Sequence, residues 1–147
     1  MSSLDELYQN VILDHNRAPR NFHPMPEASS TAEGNNPLCG DQLRVWVRVE
    51  DDVIADVSFQ GNGCAISQAS ASLMTQAVKG KTREQALALF NGFHDLVTGA
   101  PGDPGALGKL AVFRGVSQYP IRVKCASLGW HTLKAALERA DGQITTE

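Results

Sequence analysis

Leu43-Arg44-Val45-Trp46-Val47-Arg48-Val49-Glu50-Asp51-Asp52-Val53-Ile54-Ala55-Asp56-Val57-Ser58-Phe59-Gln60 reads as two strands joined by a turn. Leu43, Val45, Val47 and Val49 alternate with Arg44, Trp46, Arg48 and Glu50; Val53, Ala55, Val57 and Phe59 then alternate with Ile54, Asp56, Ser58 and Gln60. A period of two sends successive side chains to opposite faces of a sheet, and β-branched residues at every second place suit a face that is packed. The spacing predicts an antiparallel hairpin turning at Asp51-Asp52, with one face buried and the other wet. Gly61-Asn62-Gly63 can take the positive backbone angles of a sharp turn and delivers Cys64 at the end of the second strand, where a short return strand is expected to begin.

Outward from the hairpin the period becomes helical. On the N-terminal side Leu4, Leu7, Tyr8, Val11, Ile12 and His15 form one stripe, Ser3 with Glu6 offers a capping box, and Pro19 ends the helix near Arg17. A Pro-rich irregular stretch follows through Pro24 and Pro26. On the C-terminal side Ile66, Ala69, Ser70, Leu73, Met74 and Ala77 form a second helix closed by Gly80, and Thr82 with Gln85 caps a third running through Ala86, Leu87, Leu89, Phe90 and Phe93. Gly99-Ala100-Pro101-Gly102-Asp103-Pro104-Gly105 holds neither helix nor strand and is expected to be a mobile loop, followed by a short apolar segment from Leu107 to Phe113. After Pro120 a last helix carries Cys125, Leu128, Thr132, Leu133, Ala136, Leu137 and Ala140 along one face. The pattern is α+β: a small antiparallel sheet of about three strands packed against helices in two layers. Residues 1–147 are expected to form one domain, with the Gly/Pro-rich loop at 99–105 internal to it.

Composition narrows the function. Thirteen basic and 16 acidic residues leave a net charge of -3, without the clustered Lys and Arg that nucleic acid or an anionic membrane calls for. No apolar run approaches the roughly 20 residues that cross a bilayer, and the N-terminus lacks a basic region followed by an apolar stretch, so the cytoplasm is the expected location. Three well-separated cysteines in a chain of this size argue for reduced thiols, not for a disulfide framework.

Those cysteines carry the sharpest chemistry. Each adjoins a turn signal or helix start: Asn36-Pro37-Leu38-Cys39-Gly40-Asp41, Gly61-Asn62-Gly63-Cys64-Ala65-Ile66 and Arg122-Val123-Lys124-Cys125. Three soft thiolates and the carboxylate of Asp41 make a tetrahedral set for zinc, and the same thiolates suit an iron-sulfur cluster. Four anionic ligands around zinc leave an excess of negative charge, which Arg122 and Lys124 beside Cys125 are candidates to offset. The bland alternative is that each cysteine is an inert small hydrophobe. The histidines offer less: His15 lies on the apolar stripe of its helix, His23 and His94 have no partner nearby in sequence, and His131, six residues past Cys125, faces another side of the last helix. Ser67, Ser70 and Ser72 read as a helix start and small-residue packing, with no nucleophile elbow to suggest a hydrolase.

Taken together, Tyr8 to His15 with Pro19-Arg20-Asn21, the three cysteine segments, and Ala69-Ser70-Ala71-Ser72 resemble the U-type iron-sulfur cluster assembly proteins related to IscU and NifU. Lys124 where IscU proteins carry His, and a longer stretch between Cys64 and Cys125, with extra residues around 99–117, are similar to the SufU branch. Pro120-Ile121-Arg122-Val123-Lys124 stands where IscU proteins have Leu-Pro-Pro-Val-Lys, so no dedicated chaperone is implied. The resemblance implies an IscU/SufU-like fold and zinc held at Cys39, Asp41, Cys64 and Cys125. It also implies a SufS-like, pyridoxal-phosphate-dependent cysteine desulfurase as partner, with downstream iron-sulfur assembly proteins beyond it. Cys39 is then the sulfur acceptor; Arg122, flanking Cys125, is the second candidate catalytic residue. The expected function is zinc-dependent, sulfurtransferase-like acceptance of persulfide sulfur. A scaffold for a [2Fe-2S] cluster is the alternative, and a structural zinc module the reading from another class.

Overall fold

The computed structural model describes residues 3–36, 40–99 and 105–140. In chain order it runs α1 (Ser3–Arg17), β1 (Ser30–Asn36), β2 (Asp41–Glu50), β3 (Val53–Asn62), α2 (Ala65–Val78), α3 (Arg83–Thr98), a 3₁₀ segment (Gly105–Gln118) and α4 (Pro120–Ala140). The strands form one antiparallel sheet in the order β1-β2-β3. Helices cover one face of it, α4 lying on β1 and β2 and α2 on β3, while Arg44, Trp46 and Gln60 lie on the opposite, open face. No helix among the described residues is long and apolar enough to cross a membrane.

The hairpin turns at Asp51 and Asp52, whose φ angles of 53° and 66° give the doubly left-handed turn that matches the twist of two paired strands. Arg83 secures it: its backbone N–H donates to the Asp52 carbonyl at 3.1 Å and its guanidinium pairs with the Asp52 carboxylate at 2.6 Å. Leu43, Val45 and Val47 face inward as the alternation requires. On β3 the alternation breaks, because Arg48 pairs with Asp56 while Val49 pairs with Ile54, which leaves Ala55 as an extra residue. Beyond this bulge the faces exchange, so Ile54 enters the core with Val57 and Phe59, and Val53 and Ala55 stay at its margin.

The third strand is not where the sequence put it. No return strand begins at Cys64; Cys64 is the N-cap of α2, extended at φ -68° and ψ 169°, with its sulfur accepting from the Ser67 N–H. The third strand is β1, Ser-Thr-Ala-Glu-Gly-Asn-Asn, a stretch to which the sequence pattern assigned no element. It carries almost no apolar signal, since Ala32 is its one buried hydrophobic residue. Of the loop expected at 99–105, Gly99 is the C-cap of α3 and Gly105 opens the 3₁₀ segment, and residues 100–104 lie outside the described residues. The apolar segment after it is longer than expected and 3₁₀, kinked at Gly108; Leu110, Phe113 and Val116, three apart, all point into the core, the spacing that a helix of three residues per turn aligns.

An aromatic cluster holds the helical layer together: Trp130 of α4 stacks on Phe93 of α3 with ring centroids 5.1 Å apart, and Phe113 meets Phe93 edge-on at 5.6 Å. Trp130 is 1% exposed, so truncation leaves a cavity that nothing nearby can fill. Trp130→Ala is expected to lower the unfolding free energy by about 3–5 kcal/mol, read by urea denaturation of the metal-free chain.

Candidate metal centre

Three elements point their ends at one place. Asp41 is the first residue of β2, Cys64 caps α2, and Cys125 lies on the second turn of α4. One carboxylate oxygen and the two sulfurs all fall within 4.8 Å of one another. Zinc, with sulfur at about 2.3 Å and oxygen at about 2.0 Å, spaces tetrahedral donors roughly 3.3–3.8 Å apart, so this set closes on such an ion by small side-chain movements. Asp41 and Cys125 are enclosed, at 1% and 3% exposure, and Cys64 is the most exposed of the three. A carboxylate and two thiols this close repel one another once all are deprotonated, and a bound cation is what makes that state favourable.

The local sequence explains the convergence. Asn36 and Asp41 pair across β1 and β2, and Gly40, at φ 73°, takes the left-handed turn just before Asp41 while its N–H donates to the Asn36 carbonyl at 2.9 Å. Asp41 then reaches across to the start of α2: Oδ1 accepts from the Cys64 backbone N–H at 2.9 Å, and Oδ2 lies 3.7 Å from the Cys64 sulfur. The Cys64 sulfur in turn accepts from the Ser67 N–H at 3.4 Å. Space for the carboxylate exists because residue 63 is glycine; a Cβ there would stand 3.3 Å from Asp41 Oδ1.

Of the residues expected from sequence, Asp41, Cys64 and Cys125 are brought together, and Cys39 lies outside the described residues. Arg122 is exposed, its guanidinium 4.7 Å above the Tyr119 ring. Lys124 is exposed at the edge of a cavity of about 410 Å³ shared with Asn35, Asn36, His94, Ser127 and His131. His15 is the packed histidine its helical position suggested, 2% exposed with Nδ1 2.7 Å from Ser72 Oγ. Sequence distance hid the approach of His94 to His131, at 6.5 Å between centroids and both against Phe90; the spacing of Phe90 and His94, one turn apart on α3, was the available sign.

Residues 7–126 match the model of the NifU-like N terminal domain. The chain belongs to that family. It is 42% identical over 142 residues to a Bacillus subtilis protein named zinc-dependent sulfurtransferase SufU, with 96% of each chain covered. It is 40% identical over 149 residues to a Streptococcus pyogenes protein named iron-sulfur cluster assembly scaffold protein IscU, covering 100% of this chain and 93% of that one. Among solved structures, a protein from Fervidobacterium islandicum assigned as an iron-sulfur cluster assembly scaffold of the SUF system superposes with a TM-score of 0.84 at 36% identity, covering 90% of this chain and 97% of that one. The SufU-like, α+β character read from the sequence is thereby shown.

Burial of His131, and then the positive charges of His94 and Lys134, push its pKa below the usual value near 6.5. The folded chain thus binds this proton less readily than the unfolded chain, so stability falls as pH drops through the window below about 6.5 and is fully regained above it. Proton NMR is expected to give a His131 midpoint in the folded chain below that of histidine in an unstructured peptide, and His131→Gln should flatten the pH dependence of denaturation in that window.

Proposed function

We propose that this chain is a zinc-dependent acceptor of persulfide sulfur, working with a pyridoxal-phosphate-dependent cysteine desulfurase in iron-sulfur cluster assembly. The observation that carries the reading is the meeting of Asp41, Cys64 and Cys125, from three separate elements, within 4.8 Å. The zinc-dependent sulfurtransferase name of the Bacillus subtilis relative supports the choice of metal and of chemistry. Cys39 is proposed as the remaining ligand on the resemblance to the U-type assembly proteins, in the segment Cys39-Gly40-Asp41. When bound, zinc holds its cysteine ligands as thiolates at neutral pH and ties the starts of β2, α2 and α4 to one point.

The chain's own residues divide the remaining work. Cys64 is committed to capping α2, its sulfur accepting from the Ser67 N–H. Cys125 is enclosed within α4. Asp41 is anchored through Oδ1 to the Cys64 N–H and offers Oδ2 to the cation. The resemblance to the U-type assembly proteins gives the nucleophile's role to Cys39. Its thiolate attacks the outer sulfur of the desulfurase persulfide; the S–S bond of that persulfide breaks, the partner's cysteine leaves as a thiolate, and the outer sulfur with its proton stays on Cys39 as a new persulfide. Arg122, exposed beside the entrance of α4, is proposed to steady the anionic groups during this exchange, for which its release from Tyr119 is needed. The scaffold reading draws on the Streptococcus pyogenes relative. Lys124 speaks against it, since it stands where IscU proteins carry a His and so removes a possible cluster ligand.

Cys39→Ala is expected to abolish persulfide uptake when the chain is incubated with desulfurase and cysteine, seen by mass spectrometry as loss of the one-sulfur increment; sulfur arriving on Cys64 or Cys125 would reassign the acceptor. Protein isolated without air should be colourless with one zinc per chain, whereas a brown product containing iron and sulfide would favour the scaffold. Asp41→Ala should release zinc to a chelator at least tenfold faster, by the order of magnitude typical of ligand-shell changes, while the metal-free fold loses about 1–3 kcal/mol from the orphaned Cys64 N–H.

A further inference from the structure

Ser67 holds a hydroxyl that has no evident use in the fold. Its Oγ is fully enclosed and has no hydrogen-bond partner among the described residues. Its neighbours on α2 behave differently: Ser70 Oγ donates to the Ala126 carbonyl at 2.6 Å, and Ser72 Oγ accepts from the Arg20 N–H at 2.8 Å and meets His15. A buried hydroxyl without a partner is unfavourable, and removing it is ordinarily neutral or better for stability. Its location points to a reason for keeping it. A single point, where a Cβ on Gly63 would stand, lies 3.0 Å from Ser67 Oγ and 3.3 Å from Asp41 Oδ1, so both oxygens border the space that glycine leaves open. Asp41 Oδ1 accepts one bond, from the Cys64 N–H, and a carboxylate oxygen has room for a second. The Ser67 backbone is already committed to the same centre through its bond to the Cys64 sulfur.

We infer that Ser67 is a positioning residue of the metal centre: its hydroxyl donates to Asp41 Oδ1 when the centre is loaded, so that two donors, Cys64 N–H and Ser67 O–H, grip one carboxylate oxygen and leave Oδ2 turned to the cation. Asp41 would then be the fixed member of the ligand set. This rests on the reading of Asp41, Cys64 and Cys125 as metal ligands.

The test is the rate at which the zinc-loaded full chain surrenders zinc to a chromogenic chelator. Ser67→Ala is expected to speed loss about tenfold, Ser67→Thr to stay close to the wild-type rate, and Ser70→Ala, which removes a structural hydroxyl from the same helix, to leave it unchanged. Because Ser67 acts through Asp41, Ser67→Ala should add nothing in an Asp41→Ala background, and the visible spectrum of the cobalt-loaded Ser67→Ala chain should differ from wild type. Should Ser67→Ala not fold, Gly63→Ala, whose methyl occupies the space that both oxygens border, is expected to give the same acceleration. An unchanged rate and spectrum, an undiminished effect without Asp41, or an equal effect from Ser70→Ala would overturn the role of Ser67. A wild-type chain that takes up no zinc would overturn the metal reading itself.

Discussion

The bond from the Cys64 N–H to the Asp41 carboxylate, 2.9 Å long, is the constraint on which the site depends. Asp41 opens β2 and Cys64 opens α2, so one hydrogen bond fastens the open end of the hairpin to the first turn of the helix that packs on it. It satisfies a backbone donor at a helix start, where four such donors lack internal partners, and orients a buried carboxylate that would otherwise be costly to enclose. Cys125 arrives by another route. The run from Cys125 to Trp130 is buried without interruption, so its placement follows from how α4 is wedged between the sheet, α2 and the aromatic cluster of Phe93 and Phe113.

A centre assembled from the ends of three elements has two kinds of support. The capping at Cys64 and the glycines at 40 and 63 act locally and are spelled by a few residues. The approach of α4 is global and depends on the core as a whole. The first kind sets the angles of the donors, and the second sets whether they meet at all.

Legibility in the sequence followed the same division. The hairpin, the four helices and the Thr82-Gln85 capping box, which forms with both its bonds at 3.0 Å, were readable because backbone geometry imposes their periods directly on the side chains. Alternation misassigned Val53 and Ala55 because a one-residue bulge exchanges the faces without leaving a mark in composition. Leu110, Phe113 and Val116 fit neither a period of two nor one of 3.6, and Cys64 is an unusual N-cap, so both stayed unread as what they are. Three cysteines and Asp41 could be listed as metal ligands from residue type and family likeness. Distances between them are a property of packing, and Ser67 gained meaning only when its hydroxyl was found enclosed beside Asp41.

The strand that escaped the reading, β1, also says something about how the molecule behaves in company. The outer edge of β3 is sheltered by its own chain, with Asn21 and Phe22 bridging to Phe59 and the Gly80–Thr82 turn bonding to Ile54 and Val53. The other edge of the sheet is β1, whose protection lies in its composition. It is guarded by what it is made of: Ser30, Thr31, Glu33, Gly34 and Asn35 give a second strand little apolar surface to settle on, and Glu33, paired with Arg44, keeps charge at the border. A strand of that composition offers a neighbouring strand little to pair with beyond its backbone.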